Sequence, residues 1–598
     1  MDTYQYRLDS ANTRRWCLFG LIISWFVAIG SLLAGAISLY VEIRDGSSPH
    51  IAMSHTWREI VPLVLNILVT LLNDSMGYIH TCTLRWSLQR EGKLEFNSNL
   101  RLLTASKFSR PNGTFANFVH MLGIVLAYGS TSLIFLSMNP GLARVLGKDY
   151  DSSDTTGVHM NAVALLTLGS GFLLQATISN WALVATTIPT WSSNPLDVVR
   201  ACCLDEHSGH RVEPRIGRCM MGVHLAKEDA RALRPVPKQR PMITAHGRIR
   251  WIIFLLCLLP ILSGIWGGGL QAYIMKGHQN AVFGRSWSLL PTFTGKTDSN
   301  CSTSQCTDGT SVVNLGWSTS NGAVGTTGGV FLITAFQSVV TLSLHCAELI
   351  VNLSRDEKIF RELIGPKGTN GRYNSVTAAM SSWQTLFLFA LKAGVHWMFG
   401  LAINLQFHLG VNMHAPQVFY LAGFTLVTAV FGLSLSLGRP KGLLPPSYGH
   451  LQTIADIVDE WSDSGCMFWG EKRRGNPGYT GSSTDRLDPP KENMFYGGHL
   501  RHPAHLRNSM RARVVSNGAP TELGRVGPMP SPFVGYPPLP APLPAPPYGQ
   551  HPYSEWAHMQ NQHRPSQNSL NSAYSGYSGY SGYSNHSYDP FLPRNGGY

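Results

Sequence analysis

The stretch IVPLVLNILVTLLNDSMGYIH, residues 60–80, decides the fold class. At about 1.5 Å of rise per residue it is long enough, as a helix, to cross the roughly 30 Å of hydrocarbon in a bilayer. Yet it carries Asn73 and Asp74 side by side, where a span or a core should carry neither. The rest of the chain has the same character. Only 14% of residues are charged and 44% are hydrophobic, against about a quarter charged in ordinary soluble domains. Further apolar runs lie at 17–41, 117–138, 161–188, 251–274, 328–351, 383–408 and 417–438. In lipid, every backbone amide of such a run must be bonded within the run or to a neighbour, so each is expected to be a helix. The sequence therefore predicts an all-α, polytopic integral membrane protein of about eight transmembrane helices, held in a plasma membrane or an endomembrane.

The net charge of +13 is not the signature of a nucleic-acid binder, because the basic residues do not gather with aromatics on one face and no nucleic-acid motif is present. They sort by loop instead. With the N-terminus inside, Lys and Arg number 3, 6, 11, 5 and 14 in successive inside segments and 2, 2, 3 and 0 in the outside ones. That asymmetry predicts N-in, C-in. The first run is too long for a signal-peptide core and is read as a retained anchor.

This reading divides the chain into a cytosolic N-terminus (1–16), a first four-helix half (17–215), the remainder of a basic cytosolic loop (216–250) and a second four-helix half (251–438). A cytosolic amphipathic region (439–470) and a Pro/Gly/Ser/Tyr-rich tail (471–598) follow. The halves look alike. VTLLNDSMGYIHTCTLRWSLQREG (69–92) and VTLSLHCAELIVNLSRDEKIFREL (340–363) each run from VTL through a polar patch into a charged extension. NPLDVVRACC after the fourth run and LPPSYGHLQTIADIVDEW after the eighth are both Pro-marked and amphipathic. An even number of spans per half would make these parallel repeats.

In the 439–470 region Leu451, Ile454, Val458 and Trp461 share a helical face, with Asp456, Asp459 and Glu460 on the other side. An acidic face suits packing on protein, and the basic 189–250 loop is the natural partner. The tail contains PPLPAPLPAPP (537–547) and SGYSGYSGYS (575–584), which bury too little apolar surface to offset chain entropy and are expected to be disordered. SH3-like or WW-like domains are the partners such proline-rich sequence would suit.

Two stretches, NDSMGYIHTCTLRWSLQREGKLEFNSNLRLLT (73–104) and GLLPPSYGHLQTIADIVDEW followed by MFWGEK (442–472), resemble an uncharacterised family of multi-pass membrane proteins of filamentous ascomycete fungi. The similarity spans about residues 15 to 475. It implies a multi-span membrane fold and a fungal source, with no activity, ligand or catalytic residue attached.

Catalytic signatures are missing. There is no G-x-S-x-G elbow, H-E-x-x-H helix or P-loop, and GPKGTNG (365–371) lacks the lysine–hydroxyl pair. No enzyme and no cofactor is expected. Cys202, Cys203, His207, His210, Cys219 and His224 are metal-ligating types without metal-ligand spacing, so no metal is expected either. Cys202 and Cys203 are read as reduced thiols or, alternatively, acylation sites. Cys301 and Cys306, in the longest outside loop, are expected to form a disulfide.

What remains is polarity inside the spans. Asn66, Thr70, Asn73, Asp74 and Gly77 form one helical stripe, and Thr334, Gln337, Thr341, His345, Glu348 and Asn352 form another. Lys392 and His396 sit four apart on the seventh span. Ionisable groups cost about 2.5–3.5 kcal/mol each at a span's centre by insertion scales and usually face the bundle interior. The expected cluster is Asn73, Asp74, His345, Glu348, Lys392 and His396, with Asp74 paired to Lys392. Two functions fit: a transporter or channel-like protein, or a non-catalytic scaffold or sensor acting through loop and tail. Interhelical bonding alone also accounts for such stripes.

The loop charges predict that a cysteine introduced at Ser320 is labelled by impermeant reagent in intact cells. The Asn112-Gly-Thr sequon should stay unglycosylated on the cytosolic side. Labelling at Ser320 only after permeabilisation would invert the topology.

Overall fold

The computed structural model describes residues 3–497 apart from 101, 103, 138–141, 144–145, 147–156, 205–209, 216, 293–305, 317–322, 370–374, 407–408 and 463–465. Among the described residues eight long helices form the body: α1 (Thr3–Asp45), α2 (His55–Arg90), α3 (Thr114–Thr131), α4 (Ala162–Ala185), α6 (Gly247–Met275), α7 (Ala323–Arg361), α8 (Trp383–Ala402) and α9 (Ala415–Leu437). The shorter α5 (Pro195–Leu204) and α10 (Leu451–Ile457) follow α4 and α9. Among the described residues, seven helices are long and apolar enough to cross a membrane. Their outer faces carry large exposed apolar side chains, such as Phe26, Trp251, Ile265 and Val430. In water such a surface would aggregate; facing lipid it is what a span requires. The protein is a polytopic, membrane-embedded helical protein.

The helix that falls short is α3. It was expected to fill 117–138 but has 18 residues, is diluted by Asn117 and His120, and ends at Thr131. The expected all-α class needs the same correction. Two segments read as span ends, 135–137 and 403–406, form strands that pair with strands of the connecting loops: β1 (His50–Ala52), β2 (Phe135–Ser137) and β3 (Gly157–Met160) make one sheet, in the order β1-β3-β2. β4 (Ala281–Ser286), β5 (Cys306–Thr310), β6 (Val312–Asn314), β7 (Ile403–Gln406) and β8 (Gly410–His414) make a second, ordered β5-β4-β6-β8-β7. Once a helix stops, its successor's backbone groups need other partners, and cross-pairing of neighbouring connections supplies them. This shortens the seventh span too, from the expected 383–408 to a helix ending at Ala402. Cys306 opens β5, but Cys301 lies outside the described residues, as does the expected disulfide.

These sheets gather four connections at one end of the bundle, the strand end. The other connections gather at the opposite, cap end. There Arg85, 3% exposed, donates to the carbonyls of Asn97 and Ser192 at 3.0 Å each. Asn97 in turn donates to Ser193 O and to Asp356 Oδ2, again at 3.0 Å. Glu357 Oε2 accepts the backbone N–H groups of Ser447 (2.9 Å) and Tyr448 (2.8 Å). The charged extensions of α2 and α7 thus bind the loops after α2, α4 and α9 into one folded cap. Asn112 lies within this cap, fully buried and bonded to Ser87 and Thr83. Asp197 is buried there as well: desolvation pushes its carboxyl up to about 7, against the pull of the Ser192 hydroxyl and Arg200.

The amphipathic region packs on the basic loop, with Arg215 Nη2 2.5 Å from Asp456 Oδ2. It is shorter than its pattern, since the helix stops at Ile457, and it is enclosed, not laid on a surface: Thr453 and Ala455 are buried as well as Leu451 and Ile454. Cys202 is fully buried in the cap core, so an acyltransferase could not reach it.

The tail boundary at 471 is also corrected. β9 (Phe468–Arg473) and β10 (Tyr479–Ser483) form a hairpin, Tyr496 is fully buried, and its backbone pairs with Leu233 at 2.9 Å in both directions. Proline and glycine between 471 and 497 suggested a tail, but here they make turns of a folded segment. Residues 498–598, with both low-complexity stretches, lie outside the described residues. Truncation after Gly497 should leave the melting temperature in detergent unchanged. Truncation after Gly475 removes β10 and Tyr496 and should cost about 3 kcal/mol or more, the scale of losing a large buried aromatic; equal melting temperatures for the two truncated proteins would refute the assignment.

Candidate functional site: an ion cluster inside the bundle

Close helix packing brings the polar stripes together. Gly123 of α3 and Gly171 of α4 face each other, and a Cβ on either would stand 2.7–2.8 Å from the other's carbonyl oxygen. Only glycine allows that approach, which is how membrane helices gain dispersion contact without a hydrophobic driving force. α3 also packs against α2 and α7, and α8 packs against both of those helices, which brings their polar stripes together.

At the centre Lys392 of α8, its side chain 4% exposed, lies between two carboxylates. Its Nζ is 2.7 Å from Asp74 Oδ1 on α2 and 2.5 Å from Glu348 Oε1 on α7. One turn back on α7, His345 Nδ1 stands 2.6 Å from the same Glu348 oxygen. Asp74 is 38% exposed and Glu348 26%, so the ammonium is enclosed while the carboxylates edge the cluster. The two carboxylates and one ammonium leave a formal charge of −1 when His345 is neutral.

Of the remaining expected residues, His396 joins through a ring stack. Its imidazole lies on Tyr128, centroids 3.9 Å apart and planes 12° apart, and its Nδ1 is 3.1 Å from Gln337 Nε2. Tyr128 also approaches the His345 ring at 6.0 Å. Asn73 does not touch the ions; its Oδ1 accepts from Gln175 Nε2 of α4 at 3.0 Å. Asn66 serves as a helix–helix tie, accepting from Thr131 at 3.1 Å.

Sequence reasoning missed Tyr128 and Gln175. Gln175 carried a signal, an amide in the middle of a largely apolar run, while Tyr128 reads as an ordinary membrane aromatic until the fold stacks it on His396. On the cap side, a cavity of about 40 Å³ reaches the cluster, with Thr81, Ser98, His345, Glu348 and Asn352 among its lining. That exceeds the roughly 10–15 Å³ one water needs, and the lining is polar enough to hold it. Toward the strand end the His396–Tyr128 stack and Gln337 close the interior.

No family model, curated protein or solved structure matches the chain.

Removing one partner from such a group strands a buried charge, at a cost of about 3–5 kcal/mol by analogy with soluble proteins. Asp74→Asn and Lys392→Met should each destabilise the detergent-solubilised protein, and the double variant should recover part of the loss. Additive effects on melting temperature would mean that the two residues are not energetic partners.

Proposed function

We propose that the protein is a transporter or channel-like protein whose path through the membrane runs past the Asp74–Lys392–Glu348 cluster. One observation carries this reading: an enclosed lysine shared by two carboxylates inside the spans, reached from one side by a polar cavity. Interhelical bonding needs neither three ionisable partners nor a cavity, and ionised groups are a costly means to it. The bilayer is the partner, and the basic cap faces the cytosol in either a plasma membrane or an endomembrane.

We further propose that the two halves are parallel repeats. The strand order β1-β3-β2 has its counterpart in β6-β8-β7. Tyr128 and His396, stacked on each other, each lie seven residues before the strand that follows, at Phe135 and Ile403. A pair of equivalent positions meeting face to face is what a two-fold relation between halves gives at its axis. Kinship with the fungal membrane family belongs to the same proposal, as does a Cys301–Cys306 disulfide.

The second reading, a non-catalytic scaffold or sensor, draws on the folded cap, where residues 439–497 pack on the 186–246 loop and end at the proline-rich tail suited to SH3-like or WW-like partners. A growth screen of a deletion strain across ions and nutrients would nominate solutes for liposome flux. Full-length protein should give solute-dependent flux that Lys392→Ala abolishes. Identical flux from wild type and Lys392→Ala, with partners lost on deleting 498–598, would instead establish the second reading.

A further inference from the structure

The lipid-facing surface does not stop at the cap end of α3. Phe115, Phe118 and Leu122 are exposed at i, i+3 and i+7, a single stripe of the helix. Before the helix begins, the stripe continues onto the turn at 106–112, where Phe108 is 77% exposed. The Asn112 amide donates to Thr186 Oγ1 at 3.3 Å, which sets this turn beside the end of α4, where Trp181 and Val184 are exposed as well.

The turn has little freedom to fold Phe108 away. Ser106 N–H donates to the Asn112 carbonyl at 2.9 Å and closes it. Glu91 Oε1 accepts the backbone N–H groups of Lys107 at 2.6 Å and of Phe108 at 2.9 Å. Asn112 is held by the side chains of Ser87, Ser109 and Thr83. With the backbone bonded inward, the side chains of Lys107, Phe108 and Arg110 are left facing out.

Charge says what covers them. Lys107 and Arg110 are the only charged residues between 104 and 120, and both are positive. The Lys107 ammonium stands 5.8 Å from the Phe108 ring centroid. Glu91 is taken up on both oxygens, by the turn's N–H groups and by Lys93 Nζ at 2.7 Å. A rigid aromatic flanked by two cations, at the rim of a lipid-facing helix, complements an anionic headgroup layer. The length of α3 asks for the same thing. Its 18 residues rise about 27 Å, less than the roughly 30 Å of hydrocarbon, yet it runs from the cap to the strand end. A short helix in a bilayer is held by residues at its flanks.

We propose that the 106–112 turn is a lipid anchor: Phe108 beds in the cap-side leaflet, and Lys107 and Arg110 bind the headgroups of anionic phospholipids. With the cap in the cytosol, this is the leaflet that carries such lipids. The anchor sets the depth of α3, and it stands whether or not the bundle moves a solute.

The test is photo-cross-linking of the full-length protein in phosphatidylcholine nanodiscs. These are doped with equal amounts of photoactivatable phosphatidylserine or photoactivatable phosphatidylcholine, and adducts are mapped by mass spectrometry. In wild type both probes should label 105–118, the serine lipid more strongly, and its excess should fall as salt is raised. Lys107→Gln and Arg110→Gln should each cut that excess, by up to about fivefold, and leave phosphatidylcholine labelling unchanged. Lys107→Arg should keep the excess, and Phe108→Ser should reduce labelling by both probes. All three side chains are exposed, so melting temperatures near wild type are expected, which separates lost lipid contact from a lost fold. Equal labelling by the two lipids, or an excess that the Lys107→Gln/Arg110→Gln double variant retains, would overturn anionic recognition. No lipid adduct within 105–118, or a cross-link to a second copy of the chain in its place, would overturn the anchor itself.

Discussion

An ammonium group inside a bilayer demands partners, and the arrangement of this protein follows from how that demand is met. Lys392 draws a carboxylate from each of two other helices, so α2, α7 and α8 must hold one relative depth and rotation. A slide of one turn, about 5.4 Å along an axis, would break contacts that are now 2.5–2.7 Å long. The ions therefore act as a register pin. They set which polar stripe faces which, and through α3 they place the Tyr128–His396 stack beside them.

Around that pin, two kinds of packing divide the labour. In the spans, where lipid competes for apolar contact on equal terms, close approach through Gly123 and Gly171 supplies dispersion, and hydrogen bonds such as Asn73–Gln175 and Asn66–Thr131 supply direction. In the cap, water is available to the unfolded loops, so their burial is driven in the ordinary way, and the charged helix extensions satisfy the loop backbones that burial desolvates. Arg85, Asp356 and Glu357 are each spent on this. The basic and acidic surfaces of the cap meet at Arg215 and Asp456.

The openings of the cluster are unequal, and that asymmetry gives the site a direction. A polar-lined cavity reaches Glu348 and His345 from the cap, while an aromatic stack and an amide lie between the ions and the strand end.

Much of this was legible in the sequence, for a physical reason. The hydrocarbon thickness sets a length, and backbone hydrogen bonding in lipid sets a helix, so composition and run length alone determined a polytopic helical protein. The cost of intramembrane charge drew attention to Asp74, Glu348 and Lys392, and opposite signs at similar depth suggested a pair. What local sequence could not determine was where helices stop and what their ends meet. Residues 135–137 and 403–406 continue apolar runs long enough to be read as spans; they are strands because other connections lie alongside to pair with. Likewise 471–497 looks like tail, and only the cap, with Leu233 waiting for Tyr496, makes it part of the body. That Lys392 would serve two carboxylates, that His345 would share one of them, and that Tyr128 would lie on His396 are facts of relative helix rotation. They depend on contacts between residues hundreds of positions apart, which the tertiary structure alone decided.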